Sequence, residues 1–380
     1  MSTRRRDVEP LKAHARLRGK VGIYSKIRLR SRADLTCYYT PGVGEVARRI
    51  FERPGEVNRY TMRGNAVAVI TDGSAVLGLG NVGPWAALPV MEGKCLLFKE
   101  LADIDAVPLV LDTQDIDEVV RAIEAISPGF AAINLEDIKA PACFEIERRL
   151  RSRLSIPVVH DDQHATAIVV LAAAYNALRV VGKRLEDISI VISGAGAAGS
   201  AIVKLLHRAG ARNMIVADSK GIIHKHRKPL EPYKRELVRL TNSRNLTGLL
   251  ENALEGADLF IGVSRGNILT REDIARMARG AIVFALANPN PELLPREALA
   301  GGAAVVATGR SDFPNQVNNI LAFPGVFRGA LDHTVAQLTD EMKLRAARAL
   351  SRVVARPTRN RILPSPLDKQ AVRAVASAVR

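Results

Sequence analysis

One segment restricts the fold of this chain more than any other. Ile188–Ile192 reads as a buried strand, Ser193-Gly194-Ala195-Gly196-Ala197-Ala198-Gly199 as a glycine turn, and Gly199–Ala209 as an apolar helix. In such a turn Gly194 permits the tight bend, Gly196 lets backbone approach a pyrophosphate, and Gly199 lets helix and strand pack closely. Free amides and the dipole at the helix start then favour phosphate charge. The next strand, Asn213–Ala217, runs into Asp218, about 20 residues on, where an acid can hold the adenosine ribose. A dinucleotide site built on Gly194, Ala195, Gly196, Ala197, Ala198, Gly199 and Asp218 is expected. Asp218 would repel a 2′-phosphate, which leans the reading to NAD. Lys220 and the basic run His224–Lys228 can offset that charge, so NADP stays open.

The rest of the chain fits around this unit. Strands at Leu259–Val263, Ala281–Leu286 and Val305–Thr308, separated by helices such as Thr270–Met277, predict a doubly wound parallel sheet. Ahead of it, Ala66–Ile70, Val107–Leu111, Ala131–Leu135 and Ile156–His160 read as strands. Between two of them, Ile116–Ser127 places Ile116, Val119, Val120, Ile123 and Ile126 at helical spacing. A long apolar helix, Ala165–Val181, is closed by Gly182 at a C-cap position. With 380 residues, more than one ordinary core is needed. The expected fold class is α/β, with an N-terminal α/β substrate domain over 1–161. A Rossmann-type dinucleotide domain follows over 162–380, with a helical tail from Leu331.

A second G-x-G-x-x-G occurs at Gly78, Gly80 and Gly83, with Asp103 beyond it. Pro84-Trp85 follows, and the helix expected there is short and cut by Pro89. This segment is read as a turn-rich stretch near the substrate rather than a second dinucleotide site.

Charge and composition remove other classes. The formal net charge of +16 suggests nucleic acid, but the basic residues are spread along the chain and aromatics make up only 4%. A stacking platform is therefore not expected, and the basic surface is read as drawing an anionic substrate and cofactor. No apolar run reaches the roughly 18 residues of a membrane span. Met1–Asp7 is basic without a following apolar stretch, so no signal peptide is expected. Cys37, Cys95 and Cys143 are far apart and odd in number, which points to a reducing cytoplasm and to neither a disulfide nor a metal framework.

Two acidic pairs directly follow predicted strands: Glu136-Asp137 after Ala131–Leu135, and Asp161-Asp162 after Ile156–His160. Ligands of open α/β sheets gather at such strand ends. Carboxylates converging there repel one another unless a cation sits among them. Three hard oxygen ligands suit Mg²⁺ or Mn²⁺. The competing reading, turn and helix-capping acids, stays open from spacing alone. His160 and His164 flank the second pair at an i, i+4 interval; without Cys or an H-E-x-x-H pattern they are read as polar residues bordering the site.

In these motifs the chain resembles the malic enzymes, in particular the short bacterial and archaeal type. The resemblance covers roughly Val21–Leu331. It runs through Tyr39-Thr40-Pro41-Gly42-Val43-Gly44, Thr71-Asp72-Gly73-Ser74-Ala75-Val76-Leu77-Gly78-Leu79-Gly80 and Gly93-Lys94. It continues through Asn134-Leu135-Glu136-Asp137, Asp161-Asp162-Gln163-His164-Ala165-Thr166-Ala167, the glycine turn and Asp218-Ser219-Lys220-Gly221. It closes on Ala287-Asn288-Pro289 and Asn318-Asn319-Ile320-Leu321-Ala322-Phe323-Pro324-Gly325.

The resemblance implies oxidative decarboxylation of malate to pyruvate and CO₂ with NAD(P) and a divalent cation. It implies metal ligands at Glu136, Asp137 and Asp162, a catalytic lysine at Lys94, a catalytic tyrosine at Tyr39, and Asp161 as the acid beside the lysine. Asn288 and Asn319 match asparagines that hold the substrate, with Asn288 also bordering the cofactor. Lys94 would act as general base and Tyr39 as general acid. A homodimer or larger homo-oligomer is implied, in which the segment bearing Tyr39 can belong to a partner's site. The alternatives are a malolactic-type decarboxylase without net redox change and, more remotely, a nucleic-acid-binding protein with a vestigial nucleotide fold. The chain departs from the pattern twice. Longer members carry an arginine after the Asp-Gly of the second motif, where this chain has Ser74, so no residue is assigned to the second substrate carboxylate. His224–Pro229 departs from a Tyr-x-Gly-Arg pattern, so cofactor preference is not carried over.

Overall fold

The computed structural model describes residues 9–76 and 78–380. The basic run Met1–Asp7, and Leu77 of the second glycine motif, lie outside the described residues. Two sheets organise the chain. β1 (Ala66–Thr71), β2 (Asp105–Val110), β3 (Ala132–Leu135) and β4 (Val158–His160) form a parallel sheet in the order β2-β1-β3-β4. The second sheet is built from β5 (Ser189–Ser193), β6 (Asn213–Asp218), β7 (Gly221–Ile222), β8 (Leu259–Gly262), β9 (Ile282–Ala285) and β10 (Val305–Thr308). Its order is β10-β9-β8-β5-β6-β7, and only β6 and β7 pair antiparallel.

β1, β8, β9 and β10 are buried along their whole length, as a parallel sheet covered on both faces requires. β5 pairs with β6 on one side and β8 on the other. The chain therefore reverses its winding at β5, and the crevice of a doubly wound sheet opens at such a point. The glycine turn lies there.

Two helices depart from the sequence reading. The apolar helix spans Asp161–Val181 and so begins four residues before Ala165. His160 is still extended, with φ −85° and ψ 111°, and the next two residues open the helix. Acids in a first turn interact favourably with the helix dipole, which is why the acidic pair belongs to the helix rather than to the strand end. By length and composition this helix could cross a membrane; it is instead a core helix, buried from Ala167 to Ala174 and packed against the Ala197–Ala209 helix.

The helix after the second glycine motif is also longer than expected. It runs unbroken over Gly83–Ala102, through Pro89. A proline inside a helix costs about 3 kcal/mol. Burial of Met91, Cys95, Phe98 and Leu101 on the same helix, at roughly 1.5–3 kcal/mol for each large side chain, outweighs that single penalty.

Beneath the start of the Asp161–Val181 helix, Glu147 ties three elements together. Its carboxylate accepts from the His160 backbone N–H (3.2 Å), from Gln163 Nε2 (3.2 Å) and bonds His164 Nε2 (2.7 Å). Burial pushes the carboxyl up, but His164 and the His160 amide outweigh it and hold Glu147 below the usual carboxylate range. Glu147→Ala strands these partners in the interior, and we expect it to lower the unfolding free energy by about 3–5 kcal/mol. An unchanged urea midpoint would contradict this.

The N-terminal segment behaves differently. Its helices Pro10–Leu17, Arg32–Tyr38, Gly42–Glu52 and Val57–Tyr60 contain no buried residue. Ile23, Phe51 and nearby Trp85 stand almost fully exposed. The segment touches the body through a few polar contacts, among them Lys20 Nζ donating to the Pro89 carbonyl at 2.6 Å.

Candidate active site

The C-terminal ends of β3 and β4 bring the two acidic pairs together. Glu136 and Asp137 follow β3, and Asp162 lies in the first turn of the Asp161–Val181 helix. One carboxylate oxygen from each of Glu136, Asp137 and Asp162 lies within 4.8 Å of the others. Asp137 sits at φ 53°, a left-handed conformation that aspartate tolerates and that bends the chain sharply off the strand. The bend aims its backbone N–H at Asp162 Oδ2, 3.0 Å away.

The cluster carries more negative charge than its own partners neutralise. Burial and neighbouring acids raise the Asp137 carboxyl to about 8, with Asp162 the largest of those neighbours, and push Glu136 well above the carboxylate range. Asp137 Oδ2 is buried without a hydrogen-bond partner among the described residues. Two buried carboxylates and a partly exposed third that repel one another, with an orphaned oxygen among them, are the donor set a hard divalent cation fits. The capping reading loses ground. Glu136 and Asp137 are on no helix, and the Asp161–Val181 helix has no side-chain cap.

Lys94 reaches this cluster from the middle of the Gly83–Ala102 helix. Only 8% exposed, its Nζ lies 2.6 Å from Asp161 Oδ2 and 2.9 Å from Glu136 Oε1. It also sits over the Phe323 ring, 4.2 Å from the centroid. Burial alone would depress the ammonium; Asp161 and Glu136 outweigh burial and hold it above the usual lysine range. Asp161 is fully buried and also accepts from Asn319 Nδ2 at 2.5 Å, so Asn319 joins the site through the aspartate.

Not every expected residue meets here. Asn288 lies exposed in the loop after β9. Gly78 of the second glycine motif packs on that loop so closely that a Cβ would fall 2.4 Å from the Asn288 carbonyl oxygen. The second motif is a turn packed against the loop after β9, and the helix it opens is long rather than short. Tyr39 is 68% exposed on the N-terminal segment, while Lys94 is enclosed by Asp161, Glu136 and Phe323. His160 and His164 do not converge: His164 turns to Glu147, and His160 is buried with Nδ1 3.8 Å from Asp162.

The glycine turn has the shape its spacing implies. Gly194 has φ +115°, and Cβ atoms at Gly194 and Gly199 would overlap the Val263 and Gly194 carbonyls at 2.7 and 1.8 Å. At Gly196 nothing lies within 4 Å, leaving its backbone open to approach. Gly196 precedes the first residue of the Ala197–Ala209 helix. Asp218 ends β6, but its carboxylate already accepts two bonds from Arg227 (2.6 and 2.7 Å) and one from Lys234 (3.0 Å). Burial opposes this and is outweighed, leaving Asp218 below its ordinary range.

Several residues with a part in the site carry no sequence signal of that part, although Asn134 and Phe323 stand within the family motifs. Phe323 floors Lys94, and Asn134 Nδ2 donates to Glu136 Oε2 at 2.9 Å. Fully buried Glu292 accepts from the Ser264 and Ala287 amides, joining the loops after β8 and β9. Asn134 lies two residues from Glu136 on one strand face, a spacing that could have marked it. Glu292 is set by tertiary packing alone, and Phe323 stands in the Asn318–Gly325 motif with no spacing that points to Lys94.

Comparison with known proteins fits this geometry. Residues 18–151 match the family model of the malic enzyme N-terminal domain, and residues 164–380 that of the malic enzyme NAD binding domain. The chain belongs to the malic enzyme family. It is 50% identical to the bifunctional malic/malolactic enzyme of Bacillus subtilis, over 98% of this chain and 91% of that protein. It is 52% identical to the NAD-dependent malic enzyme of Geobacillus stearothermophilus, over 95% of this chain and 76% of that protein. The crystal structure of the NAD-dependent malic enzyme of Thermotoga maritima superposes with a TM-score of 0.95 at 48% identity, covering 98% of this chain and 99% of that one. The two-sheet α/β architecture is therefore that of the malic enzymes.

Proposed function

We propose that this chain oxidatively decarboxylates malate to pyruvate and CO₂, reducing NAD(P)⁺, with Mg²⁺ or Mn²⁺ held by Glu136, Asp137 and Asp162. The observation that carries the reading is the buried Lys94, set between Asp161 and Glu136 at the edge of an acidic cluster. A divalent cation held there would supply Lewis acidity at the C2 oxygen, and a bound nicotinamide would supply the hydride acceptor. Lys94 is the base for the C2 hydroxyl proton. Its ammonium is held by two carboxylates, Asp161 and Glu136; with Glu136 engaged by a cation, Asp161 alone would hold it, which would ease loss of the proton that Lys94 must give up before it can act as base. Asp161 then keeps the amine in place, with Asn319 fixing Asp161. Malate and NAD⁺ should yield no NADH with EDTA-treated protein, and Mn²⁺ should restore the signal; an undiminished rate in EDTA overturns the reading.

Tyr39 is assigned to protonate the enolpyruvate, and the partner for its segment is a second copy of this chain. The support is that four consecutive helices bury none of their own residues and leave Ile23 and Phe51 bare, the surface expected of an obligate interface. In such a homodimer Tyr39 of one copy completes the Lys94 site of the other. The buried, unpaired Cys95 and Cys143 suit a reducing compartment such as the cytoplasm. The dinucleotide preference leans to NAD on Asp218, with Arg227 and Lys234 tempering the charge that a 2′-phosphate would meet.

A further inference from the structure

The far end of the Asp161–Val181 helix borders a second concavity, of about 710 Å³, that the reaction does not use. Its wall includes Tyr175, Leu178, Leu185 and Ala209. Around it stand five cations, Arg179, Lys183, Arg184, Arg348 and Arg352, against one acid, Glu186. Two of the five are already neutralised. Lys183 binds Asp258 at 2.6 Å, and Arg184 binds Glu186 and Asp187 at 3.2 and 2.8 Å.

The remaining three, Arg179, Arg348 and Arg352, form no carboxylate pair among the described residues. Arg348 and Arg352 lie four apart on the Asp340–Arg352 helix, a spacing at which like charges repel. Arg179 is fixed in place by neutral groups. It donates to Asn176 Oδ1 (3.0 Å) and to the Ala355 carbonyl (2.9 Å). Asn176 is itself fully buried and locked by bonds to the Ser351 and Ile362 carbonyls, both 2.8 Å. A buried amide thus holds a guanidinium in position while most of its five N–H donors stay uncommitted. Guanidiniums pair oxyanions through two parallel bonds, and the apolar wall offers a surface for an uncharged body. The volume is that of a small-molecule pocket.

We propose that this concavity binds a phosphorylated small molecule, its phosphate held by Arg179, Arg348 and Arg352 and its apolar part laid on the half-buried Tyr175 and Ala209. Arg179 lies 18 residues beyond Asp161 on the same helix, about 27 Å at 1.5 Å per residue, so the ligand does not compete with malate.

The test is calorimetric titration of the full chain with phenyl phosphate and with inorganic phosphate. NAD⁺ is held saturating so that the glycine turn is occupied. The site predicts one phenyl phosphate per chain, bound more tightly than inorganic phosphate. The double variant Arg348→Gln/Arg352→Gln, exposed on its helix, should weaken binding at least about tenfold. Its malate turnover and melting temperature should stay at the wild-type values. No heat with the wild-type chain, or equal affinity in the double variant, overturns the site and leaves the arginines as charges serving two helix C-termini. Because this readout does not involve turnover, its failure is distinct from failure of the proposed reaction.

Discussion

Lys94→Ala should lower kcat on malate by about 10²–10⁴-fold, the range that general acid–base catalysis contributes. The same variant should bind NAD⁺ as the wild type does, because the glycine turn belongs to the other sheet. The size of the effect follows from the position of the residue. Lys94, itself only 8% exposed, is the cation that both Asp161 and Glu136 face at hydrogen-bonding distance. Removing it also leaves two buried carboxylates facing each other, which costs folding free energy. Dinucleotide binding, followed by fluorescence, therefore separates loss of the base from loss of the fold. A variant that keeps wild-type turnover would remove Lys94 from the mechanism.

The second large effect concerns Tyr39. Tyr39→Phe alone should be nearly as inactive as Lys94→Ala, since proton delivery to the enol would fall to water. Mixing the two inactive proteins under conditions where subunits exchange should restore activity. Random pairing makes half of the dimers hybrid, and each hybrid holds one complete site, so recovery approaches about a quarter of the wild-type rate. The argument rests on exposure. Tyr39 is 68% exposed on a segment without a core while Lys94 is buried, and the proposed second copy would cover the tyrosine and the bare apolar side chains as it brings the two residues together. Absence of any recovery in exchanged mixtures would place Tyr39 and Lys94 in one chain.

What the sequence made legible divides along physical lines. The glycine turn was readable because Gly194 and Gly199 are demanded by backbone overlaps, which only one residue type relieves. The parallel strands were readable because both faces of β1, β8, β9 and β10 are buried, producing unbroken apolar runs. The start of the Asp161–Val181 helix was misplaced because apolar periodicity begins only at Ala165, whereas the acids of the first turn answer to the dipole. Pro89 hid the length of the Gly83–Ala102 helix, since a local rule was overridden by burial that sequence does not display. Lys94 and Tyr39 carried no local signal, and only the family pattern singled them out. Glu147 reaches partners 13 to 17 residues away, Glu292 joins loops through residues 5 and 28 away, and Phe323 meets Lys94 more than 200 residues away, so spacing did not connect them.

The acidic cluster changes standing most. In sequence the two pairs read equally as turn acids or as ligands. In the structure they meet within 4.8 Å, with Asp137 raised to about 8 by burial and its neighbours. That arrangement is unfavourable without a cation and favourable with one, which ties the proposed chemistry to a metal rather than to the fold alone.

The central claim is that net oxidation and decarboxylation occur in one site, and product balance tests it most directly. With malate, NAD⁺ and Mn²⁺, the account predicts pyruvate, CO₂ and NADH in equal amounts. Lactate and CO₂ without accumulating NADH would contradict it and indicate a malolactic reaction, and a keto acid formed without CO₂ would indicate a plain dehydrogenase.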